Sequence, residues 1–211
     1  MRCPTRACAS PASSVRKMER SGSPRRAKGP LFWTLIAAIV AIDVLTKLIA
    51  KSTLVPYRMP REVIGEWVRF TLVFNQGAAF GLHLGPWSRQ IFLVLTVVAL
   101  VILGRLYRDT RPDDRIRVIA LGLVCGGAIG NLLDRIRSPI GVVDFLDIGV
   151  GNWRWPTFNV ADIAVTTGAI LLAWALWGEE REEEGSRRQE AGSSELQGSG
   201  GRVQGSGTTS E

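Results

Sequence analysis

Residues 91–103 read Ile-Phe-Leu-Val-Leu-Thr-Val-Val-Ala-Leu-Val-Ile-Leu, a run in which one threonine is the only residue that is not apolar. The apolar window extends over residues 87–107, and an α-helix needs ~20 residues to cross the hydrocarbon core of a bilayer. Because backbone groups in lipid must find their hydrogen bonds within the segment, a single apolar run of this length forms a helix. The stretch therefore predicts a membrane-spanning helix.

Three more windows approach the same length, at residues 31–50, 118–133 and 158–177. We therefore predict an all-α polytopic membrane protein with four transmembrane helices, in which a single domain spans residues 31–177 of the 211-residue chain. A basic tail at residues 1–30 and a Gly/Ser/Glu-rich tail at residues 178–211 lack apolar runs, so we expect both to be disordered. The first window follows a long polar leader and contains an Asp and a Lys, which disfavours a cleaved signal peptide.

The net charge of +7 belongs mainly to the N-terminal tail, which holds eight basic residues and one acidic residue. A basic chain often binds nucleic acid, but here the basic residues flank apolar segments and no reader motif accompanies them. With both termini on one side of the membrane, 17 basic residues lie on that side and eight on the other. Since Lys and Arg accumulate on the cytoplasmic side, we predict two cytoplasmic termini. Residues 105–117, with five arginines, provide the strongest indication of this topology.

The two longer connections, which this topology places outside, contain β-strand patterns. Along residues 66–74 apolar residues recur at every second position, which places four of them on one face of a strand: Val68, Phe70, Leu72 and Phe74. Residues 149–152, Gly-Val-Gly-Asn, predict a tight turn between two extended segments. We expect a small β-sheet at the outer membrane surface.

Polar residues interrupt three of the four spans near their outer ends. They recur at helical spacing, so that each span has one polar face, formed by Asp43 and Lys47, by Asn131, Asp134 and Arg135, and by Asn159 and Asp162. An ionisable group inside a membrane costs about 2.5–3.5 kcal/mol on the insertion scale, so a cluster of such groups indicates a functional site. With about 1.5 Å of rise per helical residue, these positions are expected to converge near the outer face.

Structural roles compete with functional ones at several of these positions. Asp43 and Lys47 are equally well explained as an internal ion pair that fixes helix packing. Asn131 and Asn159 are as consistent with hydrogen bonds between helices as with substrate contact. Simpler explanations exist elsewhere, namely interfacial anchoring for Arg135 and Arg137 and close helix packing for Gly122, Gly126, Gly127 and Gly130.

Four aspartates lie in or near the outer ends of the predicted spans, namely Asp134, Asp144, Asp147 and Asp162. The one histidine, His83, lies in no motif, and the sequence has no metal-ligand set, no Gly-x-Ser-x-Gly element and no well-placed cysteine nucleophile. We therefore expect neither a metal nor a cofactor. Two aspartates that share a proton can act as acid and base and direct water at a peptide bond. The residues alone leave open which two of the four form such a pair.

Five sequence blocks, taken in order, resemble those of the lipoprotein signal peptidases (signal peptidase II). The blocks are Asp43-Val-Leu-Thr-Lys47, Phe74-Asn-Gln-Gly-Ala-Ala-Phe-Gly81, Gly126-Gly-Ala-Ile-Gly-Asn-Leu-Leu-Asp-Arg135, Val142-Val-Asp-Phe-Leu-Asp147 and Phe158-Asn-Val-Ala-Asp162. The resemblance covers residues 31–177. The stretch Ile-Arg-Ser-Pro-Ile-Gly at residues 136–141 is slightly longer than the family pattern.

This resemblance implies an aspartyl endopeptidase of the bacterial cytoplasmic membrane, with Asp144 and Asp162 as the catalytic pair near the outer leaflet. Its substrate would be a prolipoprotein that carries a diacylglyceryl-modified cysteine, and cleavage just before that cysteine would remove the signal peptide. Substrate-binding or supporting roles would fall to Asp43, Lys47, Asn75, Gly77, Asn131, Asp134, Arg135 and Asn159. Membrane lipids are the other expected partner.

Two other classes of protein fit parts of the pattern. A carboxylate-dependent transporter would use the same intramembrane Asp and Lys residues, but it needs polar groups at the midplane or on both sides. The inner halves of the four spans are nearly uncharged. A scaffold protein would need the aspartates only for packing. The five ordered blocks favour the peptidase over both.

Overall fold

The computed structural model describes residues 28–77 and 85–199. In chain order these residues form α1 (Lys28–Thr53), β1 (Arg61–Ile64), β2 (Val68–Asn75), α2 (Ser88–Asp109), α3 (Arg115–Arg137), β3 (Val142–Val150), β4 (Trp153–Arg154) and α4 (Val160–Ser199). A single 3-10 turn, Gly85–Trp87, leads into α2. The predictions for the basic tail before residue 28, for His83 and for residues 200–211 lie outside the described residues.

Four helices of the described chain are long and apolar enough to cross a membrane, over Lys28–Thr53, Gly85–Asp109, Arg115–Arg137 and Val160–Gly178. The prediction of four transmembrane helices is therefore confirmed. Half of the most apolar window of α3 is buried inside the protein, whereas none of the corresponding window of α2 is. Since α3 packs against α1, α2 and α4, it is the central helix, and α2 presents its apolar side chains to the lipid.

Glycines let α3 approach its neighbours closely, as the sequence predicts. Gly122 and Gly126 face the side chains of Leu35 and Ile39 on α1. On the other side of α3, a Cβ atom placed on Gly127 would collide with the carbonyl oxygen of Ala161 in α4. Small residues at such positions allow helix backbones to come together in a membrane, where the hydrophobic effect supplies no driving force between helices.

The four strands form one antiparallel sheet with the order β1-β2-β3-β4. Val73 of β2 lies opposite Asp144 of β3, and β2 has one more residue than β3 between this pair and the Phe70–Leu146 pair, which is a β-bulge. Three of the four residues of the predicted alternation, Phe70, Leu72 and Phe74, belong to or contact a buried cluster at the end of α1, and Val68 does not. The cluster also contains Ala50, Leu54, Val143 and Phe145. The predicted turn connects β3 and β4 through Gly151, whose φ is +54°.

Helix α4 continues past the membrane-spanning segment to Ser199. The structure thus differs from the disorder that composition predicts for residues 178–199. Residues 179–184 read Glu-Glu-Arg-Glu-Glu-Glu, and Glu and Arg are good helix formers. They extend a helix that already exists, so the costly nucleation step of helix formation does not apply to them.

Replacing Gly127 with Ala tests the close packing of α3 on α4. The added methyl group meets a backbone oxygen that cannot rotate away, so we expect the free energy of unfolding to fall by about 1–3 kcal/mol. The measurement is thermal unfolding of the purified protein in detergent. Gly104 is the matched control because a Cβ there meets nothing within 4 Å, and Gly104→Ala should leave stability unchanged or slightly higher. Equal melting temperatures for the two variants would contradict the packing assignment.

Candidate active site

A buried lysine joins the end of α1 to the end of α3. The Nζ atom of Lys47 lies 2.7 Å from Oδ2 of Asp43 and 3.0 Å from Oδ2 of Asp134. It also donates a hydrogen bond to Oδ1 of Asn131 at 3.0 Å. Asp43 and Lys47 are 0% and 3% exposed, so both charges depend on these partners rather than on water.

The same cluster reaches α4 and the sheet through backbone groups. Oδ1 of Asp43 accepts a hydrogen bond from the backbone N–H of Ala161 at 3.0 Å. Oδ2 of Asp134 accepts one from the backbone N–H of Val143 at 3.2 Å. The internal ion pair that the sequence offered as one explanation of Asp43 and Lys47 is therefore present, and it ties α1, α3, α4 and β3 together.

A layer of asparagine amides separates this cluster from two further carboxylates. Asn131 donates to Oδ1 of Asp162 at 2.8 Å. Asn159 donates to Oδ1 of Asp144 at 2.7 Å and to Oδ1 of Asn131 at 3.1 Å. Asn75 donates to the other oxygen of Asp144, Oδ2, at 3.1 Å. Each of the two carboxylates is thus oriented by neutral donors.

The start of α4 holds Asp162 in a defined orientation. The backbone N–H of Asn159 donates to Oδ2 of Asp162 at 3.2 Å, and the backbone N–H of Asp162 donates to Oδ1 of Asn159 at 3.0 Å. This reciprocal arrangement, three residues apart at the first turn of a helix, has the geometry of a capping box. The helix start therefore aims the carboxylate while its own N–H groups are satisfied.

The structure separates the four candidate aspartates into two kinds. Asp134 is paired with Lys47, and Asp147 lies 2.6 Å from Nε of Arg154 and accepts a hydrogen bond from the hydroxyl of Thr71. For Asp144 and Asp162, by contrast, the contacts described above are all with amide groups. These two also line the same cavity, whose volume is about 480 Å³. The tertiary structure thus brings Asp144 and Asp162 together and directs the other two elsewhere.

The cavity is lined by polar side chains and by a larger set of apolar and hydroxyl side chains. Asn75, Asn131 and Arg135 line it beside the two carboxylates, and the remaining lining residues are Val142, Trp155, Pro156, Thr157, Phe158, Ile163, Val165, Thr166 and Thr167. Sequence reasoning assigned no site role to this second group, because apolar and hydroxyl side chains carry no distinctive pattern. Val142 lies two residues before Asp144, and the others lie close along the chain to Asn159 and Asp162, which is the sequence feature that points to them.

Electrostatics distinguish Asp144, which lies in β3 outside the membrane-spanning helices. Burial raises the pKa of Asp144 to about 7, and the negative charge of Asp162 acts in the same direction. The hydrogen bonds from Asn75 and Asn159 and the charge of Lys47 oppose this shift of the pKa. Near neutral pH, the Asp144 carboxyl is therefore poised to hold or to give up a proton.

Arg135 lines the cavity, and together with Gly77 it positions Asn75. Arg135 donates from Nη1 to the backbone oxygen of Asn131 at 3.3 Å and from Nη2 to that of Gly77 at 3.4 Å. The backbone N–H of Gly77 in turn donates to Oδ1 of Asn75 at 3.0 Å, which leaves the amide nitrogen of Asn75 facing Asp144. Within residues 28–77 and 85–199, no group of three or more His, Cys, Asp and Glu side chains is arranged to hold a metal ion.

Comparison with known proteins shows that the chain is similar to lipoprotein signal peptidases. The chain is 40% identical over 146 residues to the lipoprotein signal peptidase of Moorella thermoacetica, an alignment that covers 69% of this chain and 91% of the relative. It is 43% identical over 141 residues to the lipoprotein signal peptidase of Syntrophotalea carbinolica, covering 66% of this chain and 86% of the relative.

Solved structures and a family model support the same relationship. A bacterial membrane enzyme solved by the in meso method at 2.3 Å resolution is 29% identical, with a TM-score of 0.65 over 73% of this chain and 92% of the other. Residues 35–178 match the family model described as signal peptidase (SPase) II. The matched region contains all four membrane spans in whole or in large part, together with the sheet and the cavity that holds Asp144 and Asp162. The chain therefore belongs to the signal peptidase II family of membrane peptidases.

Proposed function

We propose that this membrane peptidase is an aspartic endopeptidase that removes the signal peptide from diacylglyceryl-modified prolipoproteins, cleaving just before the lipid-modified cysteine. The relatives named lipoprotein signal peptidase support the substrate class. The observation that carries the aspartic mechanism is that Asp144 and Asp162 line one cavity with neutral amides as their hydrogen-bond donors. A lysine partner would hold both carboxylates ionised, whereas amide partners let the pair keep one proton.

The proton is assigned to Asp144, because burial raises its pKa to about 7. In the proposed reaction, Asp162 accepts a proton from a water molecule while the water oxygen attacks the scissile carbonyl carbon. The Asp144 proton passes to the carbonyl oxygen, which forms a tetrahedral diol. When the C–N bond breaks, a proton returns through the pair to the amine of the modified cysteine, and the signal peptide leaves with a new carboxyl terminus. The two acidities belong to the pair, so each carboxyl changes role during the cycle.

The surrounding residues support this chemistry in different ways. The amides of Asn75 and Asn159 hold the carboxyl of Asp144, and the amide of Asn131 holds that of Asp162. Asp43, Lys47 and Asp134 are positioning residues, since they fix the helix ends that bear Asn131 and Asn159. Gly77 donates a hydrogen bond to Asn75, and Arg135 donates one to the backbone oxygen of Gly77, so both residues orient Asn75.

The depth of the site matches this substrate. α1 and α3 end, and α4 begins, at the same side of the membrane as the sheet, and Asp144 lies in the sheet just beyond these helix ends. The α2–α3 connection, on the opposite side, carries the arginines of residues 105–117, so the proposed topology places both termini in the cytoplasm. The cavity would then lie near the outer leaflet of the bacterial cytoplasmic membrane, where a lipid-anchored cysteine places its peptide bond. The peptidase domain is assigned to residues 31–177, with the two tails outside it.

A transporter remains the less favoured function. No charged residue lies between Lys28 and Asp43 in α1, or between Asp162 and Glu179 in α4. A path for an ion or solute across the membrane needs polar groups beyond the outer half. The charges of these helices are confined to their ends and to one cluster, as a peptidase acting at one membrane surface requires.

Asp144→Asn and Asp162→Asn test the catalytic pair. We expect each variant to lower the turnover of a diacylglyceryl-modified prolipoprotein in liposomes by at least ~100-fold, because each removes an acid–base group from the pair. Asp147→Asn is the matched control. Asp147 lies in β3, as Asp144 does, but its carboxylate faces Arg154, so this variant should retain most of the activity. A chelator added to the wild-type protein should not lower turnover. Full activity in either the Asp144 or the Asp162 variant would disprove the assigned pair.

The pH dependence of kcat/KM tests the proton on Asp144. Because the pKa of Asp144 is raised to about 7, its carboxyl is protonated below that pH, and activity should decline as pH rises through about 7. The Asn75 hydrogen bond lowers this pKa, so Asn75→Ala should move the alkaline limb to higher pH. Thr71→Ala, which removes a hydroxyl donor from Asp147 instead, should leave the limb in place. An alkaline limb that Asn75→Ala does not move would show that another group controls it.

A further inference from the structure

A second cavity of about 280 Å³ adjoins the first on the side of α2. Asn75 and Arg135 line both cavities, so the two spaces meet beside the residues that hold Asp144. The other described residues of the second cavity come from the residue after β2, from the 3-10 turn and first residues of α2, and from the connection between α3 and β3. They are Gln76, Gly85, Pro86, Ser88, Arg89, Gln90, Pro139 and Gly141.

The two cavities differ in direction and in chemistry. The first follows α4 past Ile163 to Thr167, which lies within the membrane-spanning segment. The second is enclosed by the first residues of α2 and by those that follow α3, which lie at the membrane face where the sheet lies. A prolipoprotein has the same asymmetry, because an apolar signal segment precedes the scissile bond and a polar chain follows it. The first cavity therefore suits the residues before the bond, and the second suits those after it.

The charge of the second cavity is positive. Its described lining contains Arg89 and Arg135 and no aspartate or glutamate. The positive charge of Arg135 also interacts with the carboxylates of Asp144 and Asp162 in the neighbouring cavity. Arg89 donates from Nε to the backbone oxygen of Arg135 at 2.8 Å, and no carboxylate of the described residues forms an ion pair with it. Arg89 thus supplies a positive charge that the described residues do not neutralise.

We propose that this polar cavity binds the first residues after the lipid-modified cysteine, and that Arg89 makes the peptidase favour acidic over basic side chains there. This inference rests on the proposed function and adds a specificity-determining residue to it. The reason is Coulombic: one unit charge a few ångströms from another, in a partly solvated cavity, changes binding by a factor of about five to ten. The acyl chains of the modified cysteine and the signal segment stay in the bilayer and in the first cavity, away from Arg89.

The test compares three prolipoprotein substrates that share one signal peptide and one diacylglyceryl-cysteine. They carry Glu, Gln or Lys at the second and third positions after the cleaved bond. For the wild-type protein in liposomes of neutral lipid, we expect kcat/KM to decrease in the order Glu, Gln, Lys, with a Glu-to-Lys ratio of about ten or more. This ratio does not depend on the fraction of active enzyme, so partial misfolding of a variant leaves it readable.

Three variants identify the source of the ratio. Arg89→Gln should lower the Glu-to-Lys ratio several-fold, and Arg89→Lys, which keeps the charge, should retain most of it. Arg137→Gln is the matched control, because Arg137 lies at the same end of α3 as Arg135 but lines a groove between α1 and α3. It should leave the ratio unchanged.

Several outcomes would overturn the inference. Equal cleavage of the three substrates by the wild type, or an unchanged ratio in Arg89→Gln, would remove the subsite while the proposed function stands. Loss of the ratio in both Arg89→Gln and Arg89→Lys would show that Arg89 acts through its hydrogen bond to Arg135 and not through its charge. Failure of the wild type to cleave any of the three substrates would overturn the proposed function and the subsite with it.

Discussion

The arrangement of the site depends on the ion pairs that the buried ammonium group of Lys47 forms with two carboxylates. A single charge at this depth would be costly in a membrane, and each of its carboxylate partners would be costly without it. Pairing with both Asp43 and Asp134 holds α1 against α3. The second oxygen of Asp43 and the shared oxygen of Asp134 reach backbone N–H groups of α4 and β3, so the same charges position the two elements that bear Asp162 and Asp144.

Close backbone approach makes this pairing possible. The oxygen of Asp43 lies beside Gly130, where a Cβ atom would be 2.5 Å from it, and Gly127 gives α4 room against α3. Glycine weakens a helix intrinsically, by about 1 kcal/mol relative to alanine. Here that cost is offset by hydrogen bonds such as the 2.8 Å contact from Asn131 to Asp162, which requires α3 and α4 to lie close together. Packing and chemistry therefore depend on the same small residues.

Asn131 stands between the charged cluster and the proposed catalytic pair. Its carbonyl oxygen accepts hydrogen bonds from Lys47 and Asn159, and its amide nitrogen donates to Asp162. An amide group therefore lies between the positive charge of Lys47 and the two aspartates. A direct contact between Lys47 and either aspartate would favour two ionised carboxylates, and an acid–base pair needs one proton. Because the neutral side chain of Asn131 lies between them, the ion pairs of Lys47 position the site and still let the two aspartates keep one proton.

The features that depend on residues close together along the chain could be predicted from the sequence. Hydropathy defined the four spans, alternation defined β2, and helical spacing placed Asp43 with Lys47 and Asn159 with Asp162 on common faces. Through the five ordered blocks, it also placed the chain in its family. These properties follow from periodicity over a few residues, so no knowledge of distant contacts was needed.

The partners of the polar groups, by contrast, became known from the folded chain. Composition left four aspartates equivalent, and they became distinct once Asp134 met Lys47 and Asp147 met Arg154. The bulge in β2, the lining residues near Trp155 and the second cavity beside Arg89 were equally invisible in the sequence. The physical reason is the range of the contacts: Lys47 and Asn131 are 84 residues apart, and Asp43 and Ala161 are 118 apart. Hydrogen bonds and ion pairs act over a few ångströms, so the fold chooses among chemically identical carboxylates by bringing distant segments together.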